Sequence, residues 1–440
     1  MTGTETTRFV AYLKTLCKFA FLFGVLPVTV FFACGGEPEE QPKGREVAQL
    51  DVWAHSGREG ERKTIQKQVQ QFDNDHDKID IELTILPEGS YNAQVQSAAL
   101  AGDLPDVLEF DGPFVYNYVW QGHLITIDDY LSQETRENLI SSILEQGTYR
   151  GGLYTVGMYD SGLAMYGRKS ILENANIRIP TSPDEAWTAD EFKQILGTLA
   201  KVDPDGSVLD LKLNYRGEWF TYAFSPVIQS AGGDLIDRSD FQSAEGVLNG
   251  TAAVYAMSEI QSWIEDGYVD PNIDDNAFIG GRVALSWVGH WEYNRYSDAF
   301  GDDLILVPLP DFGEGSKTGQ GSWNWGITKK CGNPEAAMSF IEFLLEDKQI
   351  LAMTQVNAAV PGTSSAISKS ELYKDQSPLR LFVTQLVEDY AVPRPRTPAY
   401  PVITSVFQQA FDNIRNGANV QETLDKAVTD IDQDIRDNRG

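Results

Sequence analysis

Between Ile79 and Ile85 the chain alternates Ile79, Ile81, Leu83 and Ile85 with Asp80, Glu82 and Thr84. A period of two puts all four apolar side chains on one face of a β-strand, a pattern no helix satisfies. Pro87 ends the run. Before it, Leu50, Val52 and Ala54 alternate as another strand. A Gly57–Gly60 turn then leads to Ile65, Val69 and Phe72, spaced i, i+4, i+7 on one helical face. After it, a helix from Tyr91 to Ala101 stops at Gly102, Asp106 to Phe110 reads as a third strand, and Asp111-Gly112-Pro113 turns into another helix. Short β-α-β-α-β units predict an α/β fold built on a mainly parallel sheet, with functional loops at the carboxyl ends of its strands.

The pattern then becomes more helical. Thr188 to Glu191 forms a capping box ahead of Phe192, Ile195, Leu196 and Leu199. Ala253, Met257, Ile260 and Ile264 make a further stripe, and Pro334 opens a helix after Asn333. Two amphipathic helices close the chain, on Val402, Val406, Ala410 and Ile414 and on Leu424, Val428, Ile431 and Ile435. The length beyond residue 46 suits two lobes of roughly 200 residues each.

The first 34 residues stand apart. Arg8, Lys14 and Lys18 precede an apolar run, Phe19 to Phe32, and the small Ala33 precedes Cys34. That order is the one of an export signal. The run is shorter than the roughly 20 residues that span a bilayer as a helix, so residues 1–33 are expected to be a removed signal peptide. Glu37 to Glu46, rich in Pro, Gly, Glu and Gln, reads as a flexible tether over 34–46. Of the three cysteines, Cys17 lies in the signal and Cys34 at the expected cut, which leaves Cys331 without an expected partner. The formal charge is −29. Such a chain repels nucleic acid, and no nucleic-acid partner is expected.

Further motifs carry a resemblance. Pro87-Glu88-Gly89-Ser90-Tyr91 is followed by Ala101-Gly102-Asp103-Leu104-Pro105-Asp106-Val107 and Asp111-Gly112-Pro113. Gly152 to Asp160 precedes Leu163-Ala164-Met165-Tyr166. Gly281 to Ser286 leads to Gly289-His290-Trp291, then Leu306 to Pro310 and Asn333 to Ala337. In this order the chain resembles the solute-binding proteins of bacterial ATP-binding-cassette sugar importers, the maltose-binding-protein group, over nearly all of its length after the signal. Gly167-Arg168 stands where that family usually has Asn-Lys, and Leu285 where it usually has Met. Phe-Phe-Ala-Cys-Gly-Gly resembles a lipobox, with Phe31 in place of the usual leucine, and implies lipidation of Cys34.

The resemblance implies a two-lobed periplasmic-binding-protein-like fold. Its lobes would be sheets flanked by helices, 47–159 plus 290–345 and 160–289 plus 346–440. The chain would cross between them at Gly152–Tyr166 and again at Gly281–Trp291. It further implies a monomeric, non-enzymatic protein, held to the membrane by its lipid and facing the periplasm or the exterior. Such a protein binds a carbohydrate in the interlobe cleft, closes about a hinge and delivers it to a permease, with no cofactor.

A sugar presents hydroxyls, which suit carboxylates, and apolar C–H faces, which suit aromatic rings. Asp111 follows a strand and reads either as a ligand or as a helix N-cap before Phe114. Glu88 sits on a loop after a strand, as a ligand or as a solvated acid. Glu61 lies in the first turn of a helix, where the dipole alone explains an acid. Tyr159 and Asp160 sit at the first crossing. Of the nine tryptophans, Trp219 opens a helix with Tyr222, and Trp287 and Trp291 share the second crossing. Trp323 and Trp325 flank Asn324, so in a strand both project to one face; one is expected to pack and the other to reach the cleft. Arg394 and Arg396 could fork onto sugar oxygens or pair with acids. His55, His76, His123 and His290 show no metal-ligand spacing, and no nucleophile elbow or phosphate loop is present. The alternatives are a carbohydrate hydrolase using Glu88 and Asp111 as paired carboxylates, and a binding protein for another solute, such as a glycerol phosphodiester or a polyamine.

Overall fold

A computed structural model describes residues 47–272 and 274–438. The expected signal peptide, the tether and Cys34 lie outside the described residues. Strands β1 (Ala48–His55), β2 (Ile79–Leu86), β3 (Val107–Asp111) and β4 (Thr155–Val156) come first, then β5 (Leu163–Arg168) and β6 (Leu209–Asp210). Three more, β7 (Leu285–Gly289), β8 (Leu304–Val307) and β9 (Trp323–Ile327), complete two main sheets. The first sheet has the order β2-β1-β3-β9-β4 and the second β8-β5-β7-β6.

In the first sheet the predicted alternation sets the register. β1 runs parallel to β2 from Ala48 opposite Ile79 to His55 opposite Leu86, and Leu50, Val52 and Ala54 are all buried. The helix between them, α1 (Glu59–Asp75), buries Ile65, Val69 and Phe72. Next, α2 (Tyr91–Ala101) stops where Gly102 turns left-handed at φ 72°. β3 is buried at every position, as a central strand covered on both faces must be.

Neither sheet is as parallel as its opening motif predicts. β9 runs antiparallel to both β3 and β4, and β5 runs antiparallel to both β7 and β8. In the second sheet only β7 with β6 is a parallel pair. The exceptions share a cause: each is the strand by which the chain enters its lobe from the other one. Strands such as β1, β3 and β7 end at the cleft, so a chain arriving across the cleft enters from that edge and runs the opposite way.

The expected division between lobes also needs correction. The chain passes from β4 in the first sheet to β5 in the second over residues 157–162. Segment 281–291, expected as the second crossing, instead contains β7, inside the second sheet. The chain stays there through β8, which pairs with β5, and returns to the first sheet only at β9. Residues around 293–307 therefore sit with the second sheet rather than in 290–345 of the first lobe. Conversely, the helix Asp347–Asn357 places Ile350 and Met353 in the first core, and Gln68 Nε2 of α1 donates to the Gln349 carbonyl at 2.9 Å. The chain crosses once more where Val360-Pro361 pairs with Tyr159-Asp160, and Tyr373, Leu379 and Phe382 rejoin the second core. α3 (Trp219–Ser230) is buried at every residue. It packs beside α4 (Tyr400–Arg415), where Phe220 and Phe224 stack on Phe411. α4 buries Tyr400, Ile403, Phe407 and Phe411 with Ala410 and Ile414. The expected stripe of Val402 and Val406 lies at its edge, half-buried.

Candidate functional site

Strand ends and helix starts converge on one cavity of about 420 Å³, within the roughly 300–1,000 Å³ typical of small-molecule sites. From the first sheet come His55 at the end of β1 and Arg58 beyond it, Glu88 after β2, Asp111 at the end of β3 and Trp323 at the start of β9. From the second come Trp291 after β7, and Tyr215, Glu218 and Trp219 leading into α3. Gly289 makes one placement possible: a Cβ there would lie 2.1 Å from the Trp291 ring, so only glycine lets that indole fold back over the strand end.

Three ionic groups shape the walls. Arg394 forks onto Asp111, with Nη2 2.6 Å from Oδ1 and Nη1 2.7 Å from Oδ2, and its Nη1 also lies 3.3 Å from Glu218 Oε2. Tyr400 and Thr404 donate to the same Glu218 carboxyl. Burial, joined by the Asp111 charge, pushes that carboxyl up to about 7 despite Arg394. Arg58 binds Glu292 and donates to the Tyr215 hydroxyl at 3.0 Å, and Glu292 is fully buried. His55 donates from Nδ1 to Glu109 Oε2 at 2.7 Å and stacks on Trp323 at 3.7 Å. Burial opposes its charge, but Glu109, with Glu61 and Glu88, outweighs burial and lifts the imidazole to about 9. His290 is different: burial lowers it to about 4, and its Nδ1–H donates to the Asn357 carbonyl at 2.7 Å. One imidazole is thus a fixed cation at neutral pH and the other a neutral donor.

Of the residues singled out from sequence, Glu61, Glu88, Asp111, Tyr159, Trp219, Trp291, Trp323 and Arg394 line this cavity. Asp111 caps no helix, since both its oxygens are occupied by Arg394. Glu61 accepts from the Arg58 backbone N–H at 2.7 Å and from Asn357 Nδ2 at 3.1 Å, and still faces the cleft. Trp325 is buried in the first core, while Trp323 lines the cavity.

Three residues are not brought to the cavity wall. Trp287 is fully buried, 6.0 Å from Phe224, because residues alternate along β7 and its face points into the second core. Asp160 is fully buried in the crossing. It accepts from Ser161 N at 2.7 Å and Gln146 Nε2 at 3.1 Å, and burial raises its carboxyl. Arg396 pairs with Glu145 at 2.8 Å on the surface.

Sequence reasoning missed His55, Arg58, Tyr215 and Glu218 as wall residues. Position could have found the first two, since both follow the carboxyl end of a predicted strand, where functional loops gather. Glu218 precedes a predicted helix start, which looks like ordinary N-terminal acid placement.

A profile of bacterial extracellular solute-binding proteins matches residues 56–350. Maltodextrin-binding protein MdxE of Bacillus subtilis is 22% identical over 357 residues, which are 77% of this chain and 79% of that protein. The maltotriose-binding protein of Pyrococcus abyssi is 22% identical over 372 residues, 80% of this chain and 75% of its own. Among solved structures, a substrate-binding protein of an ABC transporter from Listeria monocytogenes, in complex with cycloalternan, superposes with a TM-score of 0.76 at 17% identity. The match covers 89% of this chain and 99% of that one. The GacH receptor of Streptomyces glaucescens, determined unliganded and with acarbose, gives 0.72 at 21% identity, covering 89% and 98%. With the cleft between two α/β lobes and a family profile spanning most of the chain, the protein belongs to the bacterial extracellular solute-binding protein family.

Proposed function

We propose that this protein captures a sugar or oligosaccharide between its lobes and, on hinge closure, hands it to the membrane permease of an ATP-binding-cassette importer. The observation that carries the reading is the pairing of stacking surfaces with acceptors in one cleft. Trp291 and Trp323 are half-buried there, so part of each ring is open to a ligand. Glu61 and Glu88 sit in the same wall as carboxylate acceptors for hydroxyls. The names of the relatives, which bind maltodextrin and maltotriose, support a carbohydrate over a phosphodiester or a polyamine.

Asp111 also favours binding over hydrolysis. Both its oxygens are taken up by the buried Arg394 fork, which leaves neither free to attack or protonate a glycosidic bond beside Glu88. In this reading the protein leaves its sugar unaltered, acts as a monomer without a cofactor, and is tethered through a lipid on Cys34. Replacing Cys34 by Ser should move the protein from the membrane fraction to the soluble one.

A thermal-denaturation screen against mono- and oligosaccharides tests the central step. A bound sugar at 100 times its dissociation constant adds about 2.7 kcal/mol to stability, and the sugar recovered afterwards should be chemically unchanged. No stabilisation by any saccharide, or release of new reducing ends, would overturn the proposal.

A further inference from the structure

Two bridges of charged side chains reach across the cleft. At one, Arg58 of the first lobe meets Glu292 and the Tyr215 hydroxyl of the second. At the other, Arg394 holds Asp111 of the first sheet and Glu218 at the start of α3. Aromatic rings of the second lobe run from one bridge to the other without a break. Tyr215 meets Trp219 at 5.1 Å, Trp219 meets Trp291 at 6.0 Å and Trp291 meets Tyr222 at 6.3 Å. The Arg394 guanidinium then lies 5.1 Å from the Tyr222 ring. The acid of the first bridge and the arginine of the second are held fast, while the Arg58 side chain itself is 41% exposed. Glu292 is fully buried and is also held by Tyr215 at 2.9 Å and Arg295 at 3.3 Å. Arg394 has a side-chain exposure of 3%.

A sugar chain lying along this wall therefore meets a charged bridge at each end. We propose that the site accepts a short saccharide, of one or two rings, enclosed between the Arg58 and Arg394 bridges, and that the Arg58 bridge excludes longer chains. The inference rests on the sugar-binding reading and narrows it. The free stacking faces agree with that size. Trp291 offers one, and Trp323 another, because His55 already covers one of its faces. The cavity volume of about 420 Å³ sits low in the range for small-molecule sites, roughly 300–1,000 Å³.

Titration calorimetry on the full chain tests this with glucose, maltose, maltotriose and maltotetraose, and with mannose and its β-1,4-linked oligomers. Within a series that binds, a one- or two-ring member should bind tightest, with at least a tenfold loss at three rings. Arg58→Ser opens one end while keeping a good residue at the start of α1, and should shrink that loss to threefold or less. Equal or tighter binding of three- and four-ring sugars by the unaltered protein would overturn the size limit and leave sugar binding intact. An unchanged length profile in Arg58→Ser would overturn the role of the bridge. Absence of binding by every saccharide would remove the sugar-binding reading, and this inference with it.

Discussion

Two arginines of one segment should differ sharply in what they contribute. Arg394 and Arg396 lie two residues apart, and each contacts a carboxylate at a similar distance, 2.6 Å to Asp111 and 2.8 Å to Glu145. Burial separates them. The Arg394 and Asp111 side chains are 3% and 12% exposed, against 36% and 57% for Arg396 and Glu145. Removing one member of a buried pair leaves the other charge without a partner or water and costs about 3–5 kcal/mol. An exposed pair of the same geometry is worth about 0–1 kcal/mol. Arg394→Met strands two acids, because Glu218 Oε2 shares the same guanidinium. We expect urea denaturation at neutral pH to show a loss of about 3–5 kcal/mol for Arg394→Met and no more than about 1 kcal/mol for Arg396→Met. In a double-mutant cycle, Arg394→Met with Asp111→Asn should lose much less than the sum of the single changes. A loss below about 1 kcal/mol for Arg394→Met would place that pair with the exposed kind and refute the argument that its burial decides.

Three other outcomes follow from the cleft. By NMR, one histidine should stay protonated until about pH 9 and another stay neutral down to about pH 4, and substitution should identify them as His55 and His290. The raised His55 value means its contribution is complete below pH 6.5 and is lost as pH rises through about 9. Glu218 acts in a lower window. Its carboxyl rises from 4.5 to about 7 on folding, so its contribution is complete below 4.5 and fades as pH climbs through 7. Glu218→Gln should flatten the dependence of stability on pH across that interval. Trp291→Ala should weaken saccharide binding by about 2 kcal/mol or more with little change in melting temperature, whereas Trp287→Ala, in the core, should cost about 3–5 kcal/mol of stability. Equal effects of the two substitutions on binding would contradict their placement.

What could be read in advance was local. The alternation from Ile79 to Ile85 marked β2, because the apolar side chains on one face of a strand recur every second residue. Gly102 marked the end of α2 for an equally local reason. The pairs that shape the cleft lie far apart in sequence: Asp111 and Arg394 are 283 positions apart, Arg58 and Glu292 234. No periodicity links them, so Asp111 read as a ligand or a cap and Arg58 went unnoticed. Trp287 and Trp291 looked alike in sequence, yet one lies in a strand and the other just beyond it, which sends one ring into the core and the other to the cleft. The return between lobes escaped for a similar reason: β7, β8 and the segment after them are separately plausible strands, and only their hydrogen-bonded partners show which sheet holds each.

The most direct test is a crystal structure of the protein with the tightest saccharide found by thermal screening. Intact sugar is expected between the lobes, with a ring face on Trp291, hydroxyls on Glu61 or Glu88, and the Arg58–Glu292 and Arg394–Asp111 bridges closed around it. Sugar seated outside this cleft, or cleaved within it, would contradict the account.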